Sequence, residues 1–188
     1  MDQRGLVERA QGGDHDAFAV LARATAARLD AAARLILRDH DLARDAVQDS
    51  LVRAWRDLPT LRDAARFDAW LHRLLVNACL DVARRRSRRL GEIELTPLHE
   101  PAVADFTGTV VDRDLLERAL RALSPERRAL VVLHYYLDMP LPEAASCLGM
   151  NLGTAKSGLH RALATLRIGV VGVATEIEEL PVPEGRFA

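Results

Sequence analysis

The sequence predicts an all-α protein: two small helical domains joined by a flexible acidic linker, the second containing a helix-turn-helix. Three observations carry that prediction. The 188 residues are rich in Ala, Leu and Arg, and only 4% are aromatic, a composition that favours helix over strand. Apolar residues recur at three- and four-residue spacing along two long stretches, the mark of helices with one buried face. Between those stretches, from Leu90 to about Val111, the period is lost among glycines, prolines and acids, as in a linker.

In the first stretch, Phe18, Leu21, Leu29, Ala32 and Ile36 form one stripe, with Asp14 or Asp16 available as its N-cap. A second helix is expected from about Asp41 to Leu58, with Val47, Leu51, Ala54, Trp55 and Leu58 inward. Its opposite face carries Asp45, Gln48, Asp49, Val52, Arg53 and Arg56. Pro59 ends it, and Thr60 to Arg66 reads as a loop. A third helix, from about Phe67 to Arg86, places Phe67, Leu71, Leu74, Leu75, Ala78 and Val82 inside. Arg73, Asn77, Asp81, Arg84, Arg85 and Arg88 fall around its other side.

The second stretch starts near Asp112 with the stripe Leu115, Leu116, Ala119, Leu120 and Leu123. Ser124-Pro125-Glu126 then opens a helix with serine at the cap and proline at its first position. Leu141 to Leu148 supplies the first helix of the helix-turn-helix, and Gly149 is the residue able to take positive φ at the turn. In the helix that follows, Ala155, Leu159, Ala162, Leu163 and Leu166 make a stripe to be buried. Thr154, Lys156, Ser157, His160 and Arg161 lie away from it; short polar residues among cations let a helix approach a major groove and meet base edges or phosphates. The resulting division is residues 1–89, a linker at 90–111, a second domain at 112–168 and a tail at 169–188.

Net charge is −1, but its distribution is uneven. Residues 81–90 carry five basic groups against one acid, 91–117 one against seven, and 118–167 seven against three. Two basic patches flanking an acidic connector suit a nucleic-acid binder in spite of the total. The arginine run Arg84-Arg85-Arg86-Ser87-Arg88-Arg89 neutralises phosphates, and Asn77 beside it can form paired hydrogen bonds to a base edge. The six histidines are dispersed without zinc-ligand spacing, and no phosphate-cradling glycine loop or catalytic triad context occurs, so neither metal, cofactor nor enzyme activity is expected. Cys79 and Cys147 lie in apolar patterns and read as buried, reduced thiols, which fits a cytoplasmic protein. The chain has neither a membrane-length apolar run nor a signal-peptide core, so membrane insertion is not expected.

The order of these features resembles the extracytoplasmic-function (ECF) sigma factors of bacteria, the two-domain class that directs core RNA polymerase to promoters. The segment Asp41–Trp55, containing Asp45, Gln48 and Asp49, is similar to the family's region 2.2 helix. Phe67–Arg86 is similar to its promoter-melting, −10-reading helix, and Leu123-Ser124-Pro125-Glu126-Arg127-Arg128 with the helix-turn-helix is similar to region 4. The resemblance implies that Asp45, Gln48, Asp49 and Arg53 dock on the β′ clamp helices of the polymerase, with the β flap as a further contact. It implies that Asn77 and Asp81, the loop 60–66 with Arg62, and Arg84, Arg85 and Arg88 handle the −10 element. Thr154, Lys156, Ser157, His160 and Arg161 would read the −35 element. An anti-sigma partner is implied as well. Two departures stand out: Gly158 where the family has arginine, and Val76 where arginine frequently precedes Asn77. A stand-alone helix-turn-helix regulator that never binds polymerase is the competing reading, and the Asp45–Arg53 ridge argues against it.

Overall fold

The computed structural model describes the backbone of residues 2–92 and 119–178, with side chains through 88 in the first stretch and through 167 in the second. Among the described residues the α-helices are α1 (Gln3–Gln11), α2 (His15–Leu37), α3 (His40–Asp57), α4 (Phe67–Glu92), α5 (Pro125–Val131), α6 (Leu141–Cys147) and α7 (Leu152–Glu178), and residues 119–121 are helical as well. Short polar side chains set most of their starts. Asp14 accepts the Ala17 N–H at 2.9 Å, Asp39 the Leu42 N–H at 3.1 Å, Ser124 the Arg127 N–H at 3.4 Å and Asn151 the Thr154 N–H at 2.8 Å. Of the two candidate caps for α2, Asp14 is the one used.

Three local expectations are corrected. Helix α1 lies ahead of the first apolar stripe read from the sequence; its Leu6, Val7 and Ala10 are buried, enough to anchor a nine-residue helix against α2. The loop at 60–66 is framed by 3₁₀ turns at Leu58–Thr60 and Ala64–Arg66, the second capped by Asp63. The helix opened by Ser124 does not run on regularly: a π turn spans Val132–Tyr136, and its extra residue per turn buries both Val132 and Leu133. The expected linker lies outside the described residues except for its first positions, which prolong α4 to Glu92; Leu115 and Leu116 also lie outside the described residues. The backbone of α7 continues into the expected tail as far as Glu178.

Helices α2, α3 and α4 pack around Leu21, Leu29, Ile36, Leu71 and Leu75, with Phe67 sealing the start of α4. Each such fully buried side chain contributes about 1.5–3 kcal/mol. Ser50 sits in the same core and satisfies its hydroxyl by donating to the Val47 carbonyl at 2.7 Å. Cys79 is buried, and burial pushes its thiol up to about 12; Cys147 is only half-buried, a partial departure from the expectation. Val76 is 0% exposed, so the aliphatic residue at this departure from the family pattern fills the core. Among the described residues no helix is long and apolar enough to cross a membrane.

Candidate nucleic-acid interface

The helix-turn-helix is built as its sequence suggests. Gly149 adopts φ +65°, a left-handed conformation that lets the chain turn between α6 and α7. Ala155, Leu159 and Ala162 bury one face of α7 against the module. Thr154, Lys156, Ser157, His160 and Arg161 are all exposed on the other side. Within that face the polar groups satisfy one another. The Ser157 hydroxyl donates to the Thr154 carbonyl at 3.1 Å, and the Arg161 guanidinium donates to the Ser157 carbonyl at 3.2 Å. A base or phosphate can replace these solvent-side contacts, since each is exposed and individually weak. Gly158 lies at the edge of the face, and a Cβ there would stand 3.5 Å from a Leu130 methyl group, an ordinary contact.

The residues singled out on α3 and α4 form one charged network. Arg53 joins Asp49 at 2.7 Å and Asp81 at 3.7 Å, and Arg84 meets the other Asp81 oxygen at 3.3 Å. Arg86 extends across to Asp39, the α3 cap, at 3.2 Å. Asp39, Asp45, Asp49, Arg53, Arg85 and Arg86 thus edge an open groove of about 780 Å³ between the two helices. Asp39 is a member that sequence reading missed; its only local signal is the spacing of a helix cap. Asn77 is half-buried one turn before Asp81, while Arg84, Arg85 and Arg88 are exposed. Arg62 is exposed between the two 3₁₀ turns.

The ridge on α3 is divided. Gln48 faces away from the charged groove and edges a second, apolar groove of about 600 Å³ with Phe18, Arg44, Leu51, Val52 and Trp55. Trp55 closes its floor against His15 and Phe18, with ring centroids at 4.4 and 5.1 Å. Val52 is 61% exposed there, a large aliphatic side chain left in water beside Gln48. The ridge therefore offers a charged flank and an apolar flank to whatever seats on it.

Comparison with known proteins defines the class that this geometry belongs to. The family model "Sigma-70 region 2" matches residues 21–89, and "Sigma-70, region 4" matches residues 113–166. The RNA polymerase sigma-E factor of Streptomyces coelicolor is 38% identical over 135 residues, 72% of this chain and 75% of that one. The ECF RNA polymerase sigma factor SigM of Mycobacterium tuberculosis is 39% identical over 155 residues, 82% and 77% of the two chains. The chain belongs to the ECF RNA polymerase sigma factors of the sigma-70 family. Its fold is similar to CnrH, solved in complex with the cytosolic domain of CnrY, with a TM-score of 0.63 at 27% identity over 95% of this chain and 99% of that one. It is likewise similar to the sigma factor RpoE of Bartonella quintana, solved with the anti-sigma factor NepR, with a TM-score of 0.67 at 27% identity over 76% and 89%.

Proposed function

We infer that this chain is a promoter-specificity subunit that binds core bacterial RNA polymerase in the cytoplasm and directs initiation at −10/−35 promoters, without itself catalysing a reaction. In this reading the exposed face of α7, with Thr154, Lys156, Ser157, His160 and Arg161, reads the −35 duplex. Asn77, Asp81, Arg62, Arg84, Arg85 and Arg88 receive and steady the −10 strand once it opens. Extruding a base costs a few kcal/mol, and a half-buried amide that pairs with the freed edge recovers part of that cost. Asp45, Gln48, Asp49 and Arg53 dock on the β′ clamp helices, with charged contacts on one flank of the ridge and apolar contacts on the other. The β flap contacts the second module, and an anti-sigma protein competes for these surfaces; CnrH and RpoE, each solved with its partner, support that part.

The observation that carries the reading is the Asp49–Arg53–Asp81 network, which joins the ridge on α3 to the charged face of α4. A stand-alone DNA reader has no use for such a patch. Run-off transcription with core polymerase on promoter fragments, with and without the chain, tests it. Transcripts that depend on the chain are expected; duplex binding with no transcript and no co-elution with core would favour the stand-alone regulator.

A further inference from the structure

The arginines at the end of α4 are not equally available to nucleic acid. Arg84 is held by Asp81 at 3.3 Å and Arg86 by Asp39 at 3.2 Å, whereas Arg85 and Arg88 have no ion-pair partner among the described residues. Successive side chains of a helix turn by about 100°, so Arg86 falls on the side of Val82, and Arg88 on the side of Arg84. Val82 and Arg86 both line the groove that faces α3.

Asp39 is already oriented to hold Arg86. The connection between α2 and α3 is only Arg38 and Asp39, and Arg38 takes φ +58°, so the chain reverses at once into α3. One oxygen of the Asp39 carboxylate accepts the Leu42 N–H at 3.1 Å as the helix cap, and the other accepts from the Arg86 guanidinium at 3.2 Å. Capping has therefore fixed the carboxylate before Arg86 arrives. The ordering cost that weakens most partly exposed ion pairs falls on the arginine alone.

What the pair fixes is direction. Leu80 is the last buried side chain of α4 among the described residues; Val82 and Ala83 are half-buried, and residues 84–88 are exposed. The Arg86–Asp39 contact is the last hydrogen bond from α4 to another element among the described residues. Arg88 stands about 9 Å along the axis beyond Val82, so a tilt of about 15° there displaces it by about 2 Å. A functional contact tolerates only about 0.5 Å.

We propose that Asp39 and Arg86 are positioning residues: their pair aims the end of α4 so that Arg85 and Arg88 meet phosphates of the −10 strand, and Arg86 itself makes no DNA contact. The inference rests on the sigma reading above and divides the work within its −10 site.

Asparagine caps a helix as well as aspartate does but offers Arg86 no charge, so Asp39→Asn separates the brace from the cap. Full-length Asp39→Asn, Arg86→Gln and the double variant are assembled with saturating core polymerase, and open-complex formation is followed by permanganate reactivity. Each single variant should slow opening about two- to fivefold, the scale of a partly exposed ion pair. The double variant should be no slower than either, because both changes remove the same contact. Binding of the holoenzyme to a single-stranded −10 oligonucleotide is then titrated at several salt concentrations. Arg85→Gln and Arg88→Gln should each flatten the slope by about 0.7, while Arg86→Gln keeps the parental slope. A flattened slope for Arg86→Gln, parental opening by Asp39→Asn, or additive losses in the double variant overturns the proposal. Thermal midpoints of the single variants should fall by no more than about 4 °C; a larger fall in both makes the pair a fold contact and also overturns it. A parent holoenzyme that forms no open complex refutes the sigma reading instead, whereas a parent that opens and variants that match it refute only the positioning role.

Discussion

Gly158 offers the sharpest separation of fold from function in this molecule. It lies within α7, and a Cβ added there meets nothing closer than a Leu130 methyl group at 3.5 Å. Replacing it with alanine therefore removes the entropic penalty of a mid-helix glycine without a steric cost, a gain of about 0.5–1 kcal/mol. For a chain of this size that corresponds to a rise in Tm of about 1–4 °C. Gly158→Arg should gain a similar amount and also place a cation at the edge of the exposed face bearing Lys156 and Arg161. One added phosphate contact steepens the slope of log K against log salt by about 0.9. The assays are thermal unfolding by circular dichroism and titration of a −35 duplex at several salt concentrations. A stabilised Gly158→Arg variant with an unchanged slope would show that position 158 does not face DNA. A destabilised Gly158→Ala variant would refute the packing argument itself.

Further outcomes follow from the same geometry. Asp49→Lys reverses the charge opposite Arg53, leaves that arginine to Asp81 alone and should abolish co-elution with core polymerase while the helical spectrum is unchanged; retained co-elution would remove Asp49 from the docking set. Asn77→Ala should slow open-complex formation, followed by permanganate reactivity, more than it weakens closed-complex binding, and equal effects on both would count against base capture. Lys156→Ala should flatten the salt slope of −35 binding by about one unit, uniformly across sequences. His72 is buried, and burial, opposed by Asp68 and reinforced by Arg28, holds its imidazole below the ordinary value. Its neutral form is the one the fold accepts, so its contribution is complete above about pH 6.5 and is lost as pH falls from there toward the depressed folded value. Urea unfolding across that window should show a steeper pH dependence for the parent than for His72→Gln, and identical profiles would contradict the sign.

Much of the fold was legible because helices advertise themselves locally. Asp14, Ser124 and Asn151 cap where short acceptors precede apolar periods, and Gly149 turns where only a residue without a Cβ does so without strain. Helix α1 escaped because its three buried residues sit among charges, and its anchorage comes from α2. The π turn escaped because Val131, Val132 and Leu133 fit an unbroken helical period equally well; the alternative is chosen by what Val132 and Leu133 pack against.

The candidate sites divide along the same line. Residue type and spacing alone determined the exposed face of α7 and the polar ridge of α3, since a helix fixes which side chains share a side. The sequence also determined the family, through two motif sets in a set order. Only the tertiary structure decided that Arg53 bridges Asp49 to Asp81, that Asp39 joins this groove, and that Gln48 turns to an apolar groove instead. It alone decided that the stripes of both modules merge into one core, fastened between residues 110 positions apart. The physical reason is that an apolar stripe specifies burial without naming its partner: transfer from water is proportional to area and indifferent to which surface covers it, so only packing selects the neighbour.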